Sequence, residues 1–375
     1  MIKSVKIRLF PTKEQEELMF KTIGCSRFAY NWALNKANEI YKNGNKYSMA
    51  NIRKEFTQLK KQEEFKWLNE VSNTSMVESM RNLDTAFKKF FKKNGGYPKF
   101  KSKRKSRLSF YVRYDALKFK DGMCNIEKVG KVKYKTNYNI PTDCKYTNPY
   151  CSFDGKYWYL TFGYEHDESQ VVLNKNLSIG IDLGVKDLAI TNVHDKPFKN
   201  INKTRKVRQL KKRLKRLQRQ VSRKYEANKQ GNKFVKTNNI IKLERKIKLT
   251  HRKLTNIRQN HTHQTTSSIV KMNPYRVVME DLNVSGMMKN KHLAKAIQEQ
   301  TFYEFIRQMK YKCEFSGVEF VQVDRFYPSS KTCSCCGSIK QDLKLKDRVF
   351  VCNECGFEID RDKNASINLA NYKLI

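Results

Sequence analysis

Two C-x-x-C motifs near the end of the sequence constrain the fold more than any other feature. Cys333 and Cys336 lie in CSCCG, Cys352 and Cys355 lie in CNECG, and residues 337–351 separate the two pairs. Two knuckles at this spacing are typical of a zinc ribbon, in which four thiolates bind one ion. Because four thiolates leave no open coordination position, we expect one structural Zn²⁺ ion.

The remaining cysteines predict no disulfide framework. Cys335 lies inside the first knuckle, but only Cys333 with Cys336 has the usual spacing. Residues 1–15 lack the apolar core of a signal peptide, and no stretch reaches the ~18 apolar residues that a membrane span needs. We therefore expect a cytoplasmic protein, in which thiols stay reduced. The expected ordinary buried thiols are Cys25, Cys124, Cys144, Cys151 and Cys313.

The charge balance indicates a polyanionic partner. Lysine and arginine number 77 against 36 acidic residues, a formal net charge of +41, while the hydrophobic share is still 39%. A solvated basic surface or attraction to a membrane surface would also explain such a charge. Since the cations run along nearly the whole chain instead of forming a tail, nucleic acid phosphates are the favoured partner.

Apolar periodicity divides the first half of the chain into strand, helical and strand regions. Residues 2–10 alternate as an edge strand does, and Thr12 with Gln15 predicts a capping box that opens a helix ending near Gly24. The pattern then stays helical to about residue 93.

Short strands are predicted over residues 108–165, with a hairpin turn in SFDGK. With the first strand they predict a small β-barrel split by the helical insertion. Residues 99–114 interleave Lys and Arg with Phe and Tyr, which suits a strand with a basic outer face as well as a surface that binds phosphates and stacks bases.

Two long basic helices are predicted between Arg205 and Gln259, as an antiparallel hairpin that turns near Gly231. A solvent-facing coiled coil and a contact with a nucleic acid backbone both explain the pattern. The apolar seams are Val207, Leu210, Leu214, Leu217 and Val221 on the first helix, and Ile240, Leu243, Ile247, Leu254 and Ile257 on the second.

Acidic residues lie at the ends of three predicted elements. Asp182 lies near the end of a buried strand in residues 177–192, and Glu280 follows a second apolar run. Asp360 and Asp362 precede a helix that starts near Asn364. Each acid alone also fits a turn or a helix cap. A charged acid in an apolar strand needs a cation or hydrogen bonds to compensate for its burial.

Taken together, Asp182, Glu280 and one acid of the Asp360 and Asp362 pair predict a carboxylate cage for two Mg²⁺ or Mn²⁺ ions, since hard oxygen ligands suit these cations. Such a cage hydrolyses phosphodiesters, with one ion activating water and the other stabilising the leaving 3′ oxygen. His261 and His263 lack a third metal partner nearby in the sequence, so we interpret them as polar residues on a nucleic-acid-facing surface.

With these motifs the sequence resembles the TnpB family of transposon-encoded RNA-guided endonucleases, related to type V CRISPR effectors, over essentially its whole length. The resemblance rests on KIRLFPTKEQ, GCSRFAYNWAL and YPKFKSKRKSRLSF, on GIDLGVKDLAI and VVMEDLN, and on the ribbon followed by DRDKNASINLA. It implies that the catalytic acids are Asp182, Glu280 and Asp362, the last because it stands two residues before the Asn of the Asp-x-Asn motif. It gives Asp360 no role.

The resemblance also implies an α/β multidomain fold. A wedge β-barrel would span residues 1–10 and 101–172, and a helical recognition domain would span 11–100. An RNase H-like (RuvC) nuclease domain would span 173–375, with the basic hairpin at 205–259 and the zinc ribbon at 328–357. The implied partners are a guide RNA from the transposon end and a double-stranded DNA target beside a short motif, bound by a monomer that cuts both strands in one site.

Two other functions remain open from the sequence alone. One is a guided DNA-binding repressor on the same scaffold with a dead active site, although all three acids are present here. The other is an unguided structure-specific nuclease or a transposase accessory. The net charge does not separate these functions, since RNA and DNA are both polyanions.

Overall fold

A computed structural model describes residues 1–103, 105–166, 171–344 and 347–373 of the chain. The chain divides into two compact units, Met1–Asp167 and Glu168–Ile375. Arg104, which belongs to the predicted basic aromatic segment, lies outside the described residues, as do residues 167–170 at the predicted boundary between the wedge and nuclease domains. The same is true of residues 345–346 in the predicted ribbon.

The first unit contains a seven-stranded sheet with the strand order β2-β6-β7-β1-β5-β4-β3. The predicted edge position of the N-terminal strand is wrong, because β1 lies in the middle of the sheet, antiparallel to both β7 and β5, although a helical insertion separates it from them in sequence. The turn at residues 154–157 joins β6 and β7, where the Asp154 N–H donates to Tyr157 O at 3.1 Å. The strands are β1 (Ile2–Phe10), β2 (Ser109–Tyr111), β3 (Lys118–Lys120), β4 (Met123–Ile126), β5 (Gly130–Lys135), β6 (Thr147–Phe153) and β7 (Trp158–Glu165).

The insertion is helical, as the sequence predicts. It comprises α1 (Lys13–Lys42), α2 (Met49–Leu59), a 3₁₀ segment (Glu63–Glu70) and α3 (Asn73–Phe91). The predicted capping box is present, since Gln15 N–H donates to Thr12 Oγ1 at 3.3 Å and Thr12 N–H donates to Gln15 Oε1 at 3.0 Å.

The predicted end of the first helix near Gly24 is wrong, because α1 continues for eighteen residues beyond it, to Lys42. A glycine inside a helix costs about 1 kcal/mol relative to alanine. Beyond Gly24, the buried residues Ala29, Ala33 and Ala37 pack against the other helices of the insertion, and that burial outweighs the propensity of one residue.

The second unit is built on a mixed five-stranded sheet with the order β10-β9-β8-β13-β14. β8 and β9 are antiparallel, whereas β13 is parallel to both β8 and β14. The strands are β8 (Asn174–Leu183), β9 (Asp187–Thr191), β10 (Phe198–Lys199), β13 (Pro274–Glu280) and β14 (Glu319–Val323).

Two long helices, α4 (Arg205–Ala227) and α5 (Asn238–Val270), precede β13. A small ribbon, β11 (Lys229–Gln230) with β12 (Lys233–Phe234), joins them, and Gly231 takes a φ of +55° in its turn. Tyr225 OH donates to a carboxylate oxygen of Glu244 at 2.6 Å, so the helices run antiparallel from the turn. α5 extends well beyond residue 259, where the sequence pattern placed its end.

Helix α9 (Arg361–Ala370) packs against β8 at unusually close range. A Cβ atom built on Gly180 of β8 would lie 2.0 Å from Ser366 O and 2.4 Å from Ala370 N, so only glycine fits there. The unit also contains a 3₁₀ segment (Ile201–Lys203), α6 (Val284–Met287), α7 (Ala294–Gln300), α8 (Phe302–Phe315) and the strand pair β15 (Val349–Val351) and β16 (Glu358–Asp360).

We expect Gly180→Ala to lower the free energy of unfolding by about 2 kcal/mol or more, because the new methyl group meets backbone atoms that cannot move aside. Gly24→Ala is the matched control, since a Cβ there meets nothing within 4 Å. It should raise the free energy by roughly 0.5–1 kcal/mol. Urea unfolding followed by circular dichroism measures both, and equal effects of the two substitutions would contradict the close-packing argument.

Candidate active site

Strands β8 and β13 place two of the predicted acids side by side. Ile181 pairs with Met279 in the parallel register, so Asp182 and Glu280 are the next pair along it. Both strands end here, β8 at Leu183 and β13 at Glu280. Because residues at one register of parallel strands project from the same face, the two carboxylates share the carboxyl-terminal edge of the sheet.

Helix α9 adds the third acid from its first turn. Asp360 is the N-cap, and its Oδ1 accepts from the N–H groups of Asp362 and Lys363, each at 3.0 Å. Asp362 is therefore not the helix cap, and its carboxylate is available to other partners. Asp360 therefore has the helix-cap role that the sequence offered as an alternative, whereas the resemblance gave it no role.

The three acids influence one another electrostatically. Burial, followed by the nearby charges of Glu280 and Asp362, raises the pKa of Asp182 from 3.8 to about 8. Arg361 opposes this shift, since its positive charge favours the ionised carboxylate. An acid that resists ionisation at neutral pH lies where a cation would be strongly stabilised.

Other side chains form hydrogen bonds or ion pairs with Glu280 and Asp362. Ser329 Oγ donates a short hydrogen bond to Glu280 Oε1. Arg361 Nε and Nη2 donate to Asp362 Oδ1 at 3.1 and 2.9 Å, and Arg348 Nη1 lies 3.6 Å from Asp362 Oδ2. The sequence reasoning missed these three residues. Arg361 had a visible signal beside Asp362, whereas Ser329 and Arg348 meet the acids only through folding.

The ligand atoms of the three acids are not all within 4.8 Å of one another. Among the described residues, the only group of three or more candidate ligands lying within 4.8 Å of one another is made of cysteines, so the three acids do not converge on one point. A two-ion cage has its ions about 3.5–4 Å apart and spreads its ligands accordingly. The oxygen donors of Asp182, Glu280 and Asp362 are suited to Mg²⁺ or Mn²⁺.

The four predicted cysteines come together in a second site. The Sγ atoms of Cys333, Cys336, Cys352 and Cys355 lie within 4.8 Å of one another, which a tetrahedral four-thiolate centre requires. The backbone N–H of Cys355 leads the hydrogen bonds that lower the pKa of Cys352 to about 6, and a lower pKa favours the metal-binding thiolate.

Two buried asparagines of α9 attach this cysteine site to the helix that carries Asp362. Asn364 Nδ2 donates to Thr332 O at 2.7 Å, and Ser334 N–H donates to Asn364 Oδ1 at 3.0 Å. Asn368 Nδ2 donates to Ser329 O at 2.7 Å and to Thr332 O at 2.6 Å. The segment that enters the first knuckle is therefore bonded to α9 by side chains as well as by sequence.

Models of known protein families match most of the chain. One described as "Probable transposase" matches residues 161–291, and one described as "Cas12f1-like, TNB domain" matches 302–369. A third, described as "Helix-turn-helix domain", matches residues 1–46. In this structure that range holds β1 and the whole of the single helix α1 with its N-cap Thr12.

Curated relatives cover the full length. A Streptomyces pristinaespiralis protein described as "Putative RNA-guided DNA endonuclease" is 32% identical over 371 residues, which span 98% of this chain and 88% of that protein. The chain belongs to the TnpB family. The Escherichia coli member InsQ, which carries the same description, is 29% identical over 98% of this chain and 91% of its own length.

The fold of this TnpB-family chain also matches a solved structure. A Cas12f1–sgRNA–target DNA complex superposes with a TM-score of 0.59 at 13% identity, and the match covers 99% of both chains. The α/β fold class is thereby confirmed. Within the described residues, no helix combines the length and apolar character that a membrane crossing requires.

The remaining predicted residues of this family member belong neither to the three acids nor to the four-cysteine group. His261 Nε2 lies 2.9 Å from Lys199 O, and neither His261 nor His263 joins a metal-ligand group among the described residues. Cys335 is exposed and outside the four-cysteine group. Of the five expected buried thiols, Cys144 is only partly buried; Cys25, Cys124, Cys151 and Cys313 are buried.

We expect Asp182→Asn to stabilise the protein in buffer without divalent cations, increasingly as the pH rises from about 4 to about 8. The folded pKa of Asp182, about 8, lies above its unfolded value, so between these values the unfolded state has released a proton that the folded state still holds, and stability falls as the pH rises. Asparagine mimics the protonated acid at every pH. Thermal melts of both proteins across this range measure the difference, and a constant difference would contradict the shifted pKa.

We expect Cys352→Ser to abolish stoichiometric zinc binding and to lower the free energy of unfolding by about 3 kcal/mol or more, because a structural zinc site contributes folding energy. Cys335→Ser, in the first knuckle but outside the four-cysteine group, should change neither quantity. Atomic emission measures the zinc and urea unfolding the stability. Equal zinc content in Cys352→Ser and the parent protein would show that these thiols do not hold the ion.

Proposed function

We propose that this chain is an RNA-guided DNA endonuclease and that Asp182, Glu280 and Asp362 are its catalytic acids. One observation carries the assignment of the acids: β8, β13 and α9 bring three carboxylates to one sheet edge, where burial and then the charges of the other two acids raise the pKa of Asp182. The descriptions of the full-length relatives support the guided endonuclease activity.

Asp182, Glu280 and Asp362 would hold two Mg²⁺ or Mn²⁺ ions, which when bound activate water and stabilise the leaving 3′ oxygen of the cut phosphodiester. Glu280 and Asp362 both raise the pKa of Asp182, and a bound cation would favour its ionised form. Arg361 and Ser329 fix the orientations of Asp362 and Glu280, so both carboxylates are positioned in advance. Arg348 adds positive charge beside Asp362, where a phosphate is expected to lie.

We propose that the second unit is an RuvC nuclease domain, residues 173–375, with an inserted zinc ribbon at 328–357. The sheet begins with the antiparallel strands β10, β9 and β8, and β13 and β14 then run parallel to β8. This arrangement supports an RNase H-like fold. The four-cysteine group would hold one structural Zn²⁺. For the first unit we propose a wedge β-barrel, residues 1–10 and 101–172, interrupted by a helical recognition domain at 11–100.

The partners we propose are a guide RNA from the transposon end and double-stranded target DNA beside a short motif, bound by a monomer in the cytoplasm that cuts both strands in one site. The basic hairpin at residues 205–259 supports a phosphate contact. A cleft of about 510 Å³ between α4 and α5 is lined by cations at Lys206, Arg213 and Lys253. Base pairing would read the target sequence, while the protein contacts backbone and shape.

The decisive preparation is the protein purified with whatever RNA accompanies it. Sequencing that RNA and offering the complex a plasmid library with a matched target and random flanks should give one discrete RNA, one flanking motif and double-strand cuts. Absence of a discrete RNA would favour an unguided nuclease. Guided binding without cutting in the presence of Mg²⁺ or Mn²⁺ would favour a repressor.

We expect Asp182→Ala to lower cutting by at least about 10³-fold while RNA-dependent target binding stays within a few-fold, because the acid contacts the ions and not the duplex. Asp187→Ala is the control, since Asp187 lies in the next strand of the same sheet but is not among the three acids. Cleavage of labelled target and filter binding give the two quantities. Undiminished cutting by Asp182→Ala would show that the site is misassigned.

A further inference from the structure

The turn that follows β14 holds an aromatic side chain in solvent beside the candidate active site. Phe326 is 87% exposed, whereas Phe302, Phe305 and Phe350 of the same unit are buried. No ring or cation contact to Phe326 is found among the residues that the structure describes. Single exposed apolar residues are common on protein surfaces, so this exposure alone would carry no inference.

The backbone around Phe326 is fixed. Its N–H donates to Asp324 Oδ1 at 2.8 Å, and Tyr327 N–H donates to Asp324 O at 3.1 Å. Ser329 N–H in turn donates to Tyr327 O at 2.8 Å. Tyr327 packs its ring edge-on against Tyr372, with centroids 5.1 Å apart. The exposed ring is therefore presented by an ordered turn.

The same turn is attached to the catalytic strand on both sides of Phe326. On one side, Arg325 Nη2 pairs with Asp281 Oδ2 at 2.7 Å, and Arg325 Nε donates to Asp281 O at 3.3 Å. On the other side, Ser329 donates to Glu280. Three residues of chain reach at most roughly 11 Å, so Phe326 stays within that distance of the residue bonded to Glu280.

We propose that Phe326 is a positioning residue that stacks on a nucleobase of the strand in the active site, within about three nucleotides of the phosphate that is cut. This inference rests on the proposed nuclease function. Stacked bases lie about 3.4 Å apart along a strand, which sets that distance. Stacking on an aromatic ring tolerates any base, so it suits a site whose target sequence is read elsewhere by base pairing.

Cutting by three variants of the RNA-loaded protein tests the stacking. Phe326→Ala should slow single-turnover cutting roughly 5- to 150-fold, Phe326→Leu should be equally slow, and Phe326→Trp should cut at close to the parent rate. Tyr303→Ala is the matched control, since Tyr303 is an aromatic residue of the same unit that is 70% exposed, and it should not change the rate. Zinc content and melting temperature should stay constant throughout.

Abasic substrates separate stacking from a structural role. Among substrates that each lack one base near the cut, one should be cut more slowly by the parent protein. On that substrate the Phe326→Ala protein should cut no more slowly than the parent protein. The proposal would be overturned if Phe326→Ala or Phe326→Leu cut at the parent rate. It would also be overturned if the abasic site and the substitution slowed cutting independently of each other.

A binding measurement distinguishes this failure from a failure of the proposed function. The Asp182→Ala protein should quench the fluorescence of a target strand that carries 2-aminopurine at the position found with the abasic substrates. Adding the Phe326→Ala substitution to this protein should restore the fluorescence. This readout does not require cutting. Unchanged quenching overturns the stacking proposal, whereas absence of cutting by the parent protein counts only against the nuclease function.

Discussion

The close contact between helix α9 and strand β8 determines the geometry of the whole candidate site. Gly180 allows the helix backbone to approach the sheet, and Ser178 Oγ donates to Ala370 O at 2.7 Å at the far end of the helix. Since β8 ends in one acid and α9 begins with another, this contact sets the separation of Asp182 and Asp362. β13 contributes to the same contact, because Arg276 Nη2 donates to Ala370 O at 3.1 Å.

Three acids lie near one another in a chain with a net charge of +41. Burial of Asp182, followed by the negative charges of Glu280 and Asp362, raises the pKa of Asp182. Arg361 and Arg348 offset part of the negative charge at Asp362. An acidic cluster in a strongly basic chain would attract divalent cations to itself, while the rest of the chain would attract a polyanion.

The sequence predicted most elements, together with the three acids and four cysteines that the fold brings near one another, because those depend on local pattern. The capping box at Thr12, the knuckle spacing of the cysteines and the acids at strand ends are all visible within a few residues. Gly24 misled the prediction, since tertiary burial keeps α1 helical through a weak position. Ser329 and Arg348 were not predictable, because they reach Glu280 and Asp362 from distant segments.

The place where the ribbon enters the chain has a mechanical consequence. It lies between β14, the neighbour of the strand that ends in Glu280, and α9, which carries Asp362. The segment at residues 329–332, which leads into the first knuckle, bonds to Glu280 through Ser329 and to α9 through Asn364 and Asn368. Displacement of this segment would therefore disturb Glu280 and Asp362 together. A metal bound by the four cysteines would act on the candidate active site without supplying any ligand to it, because the shared hydrogen bonds would transmit the order that the metal imposes.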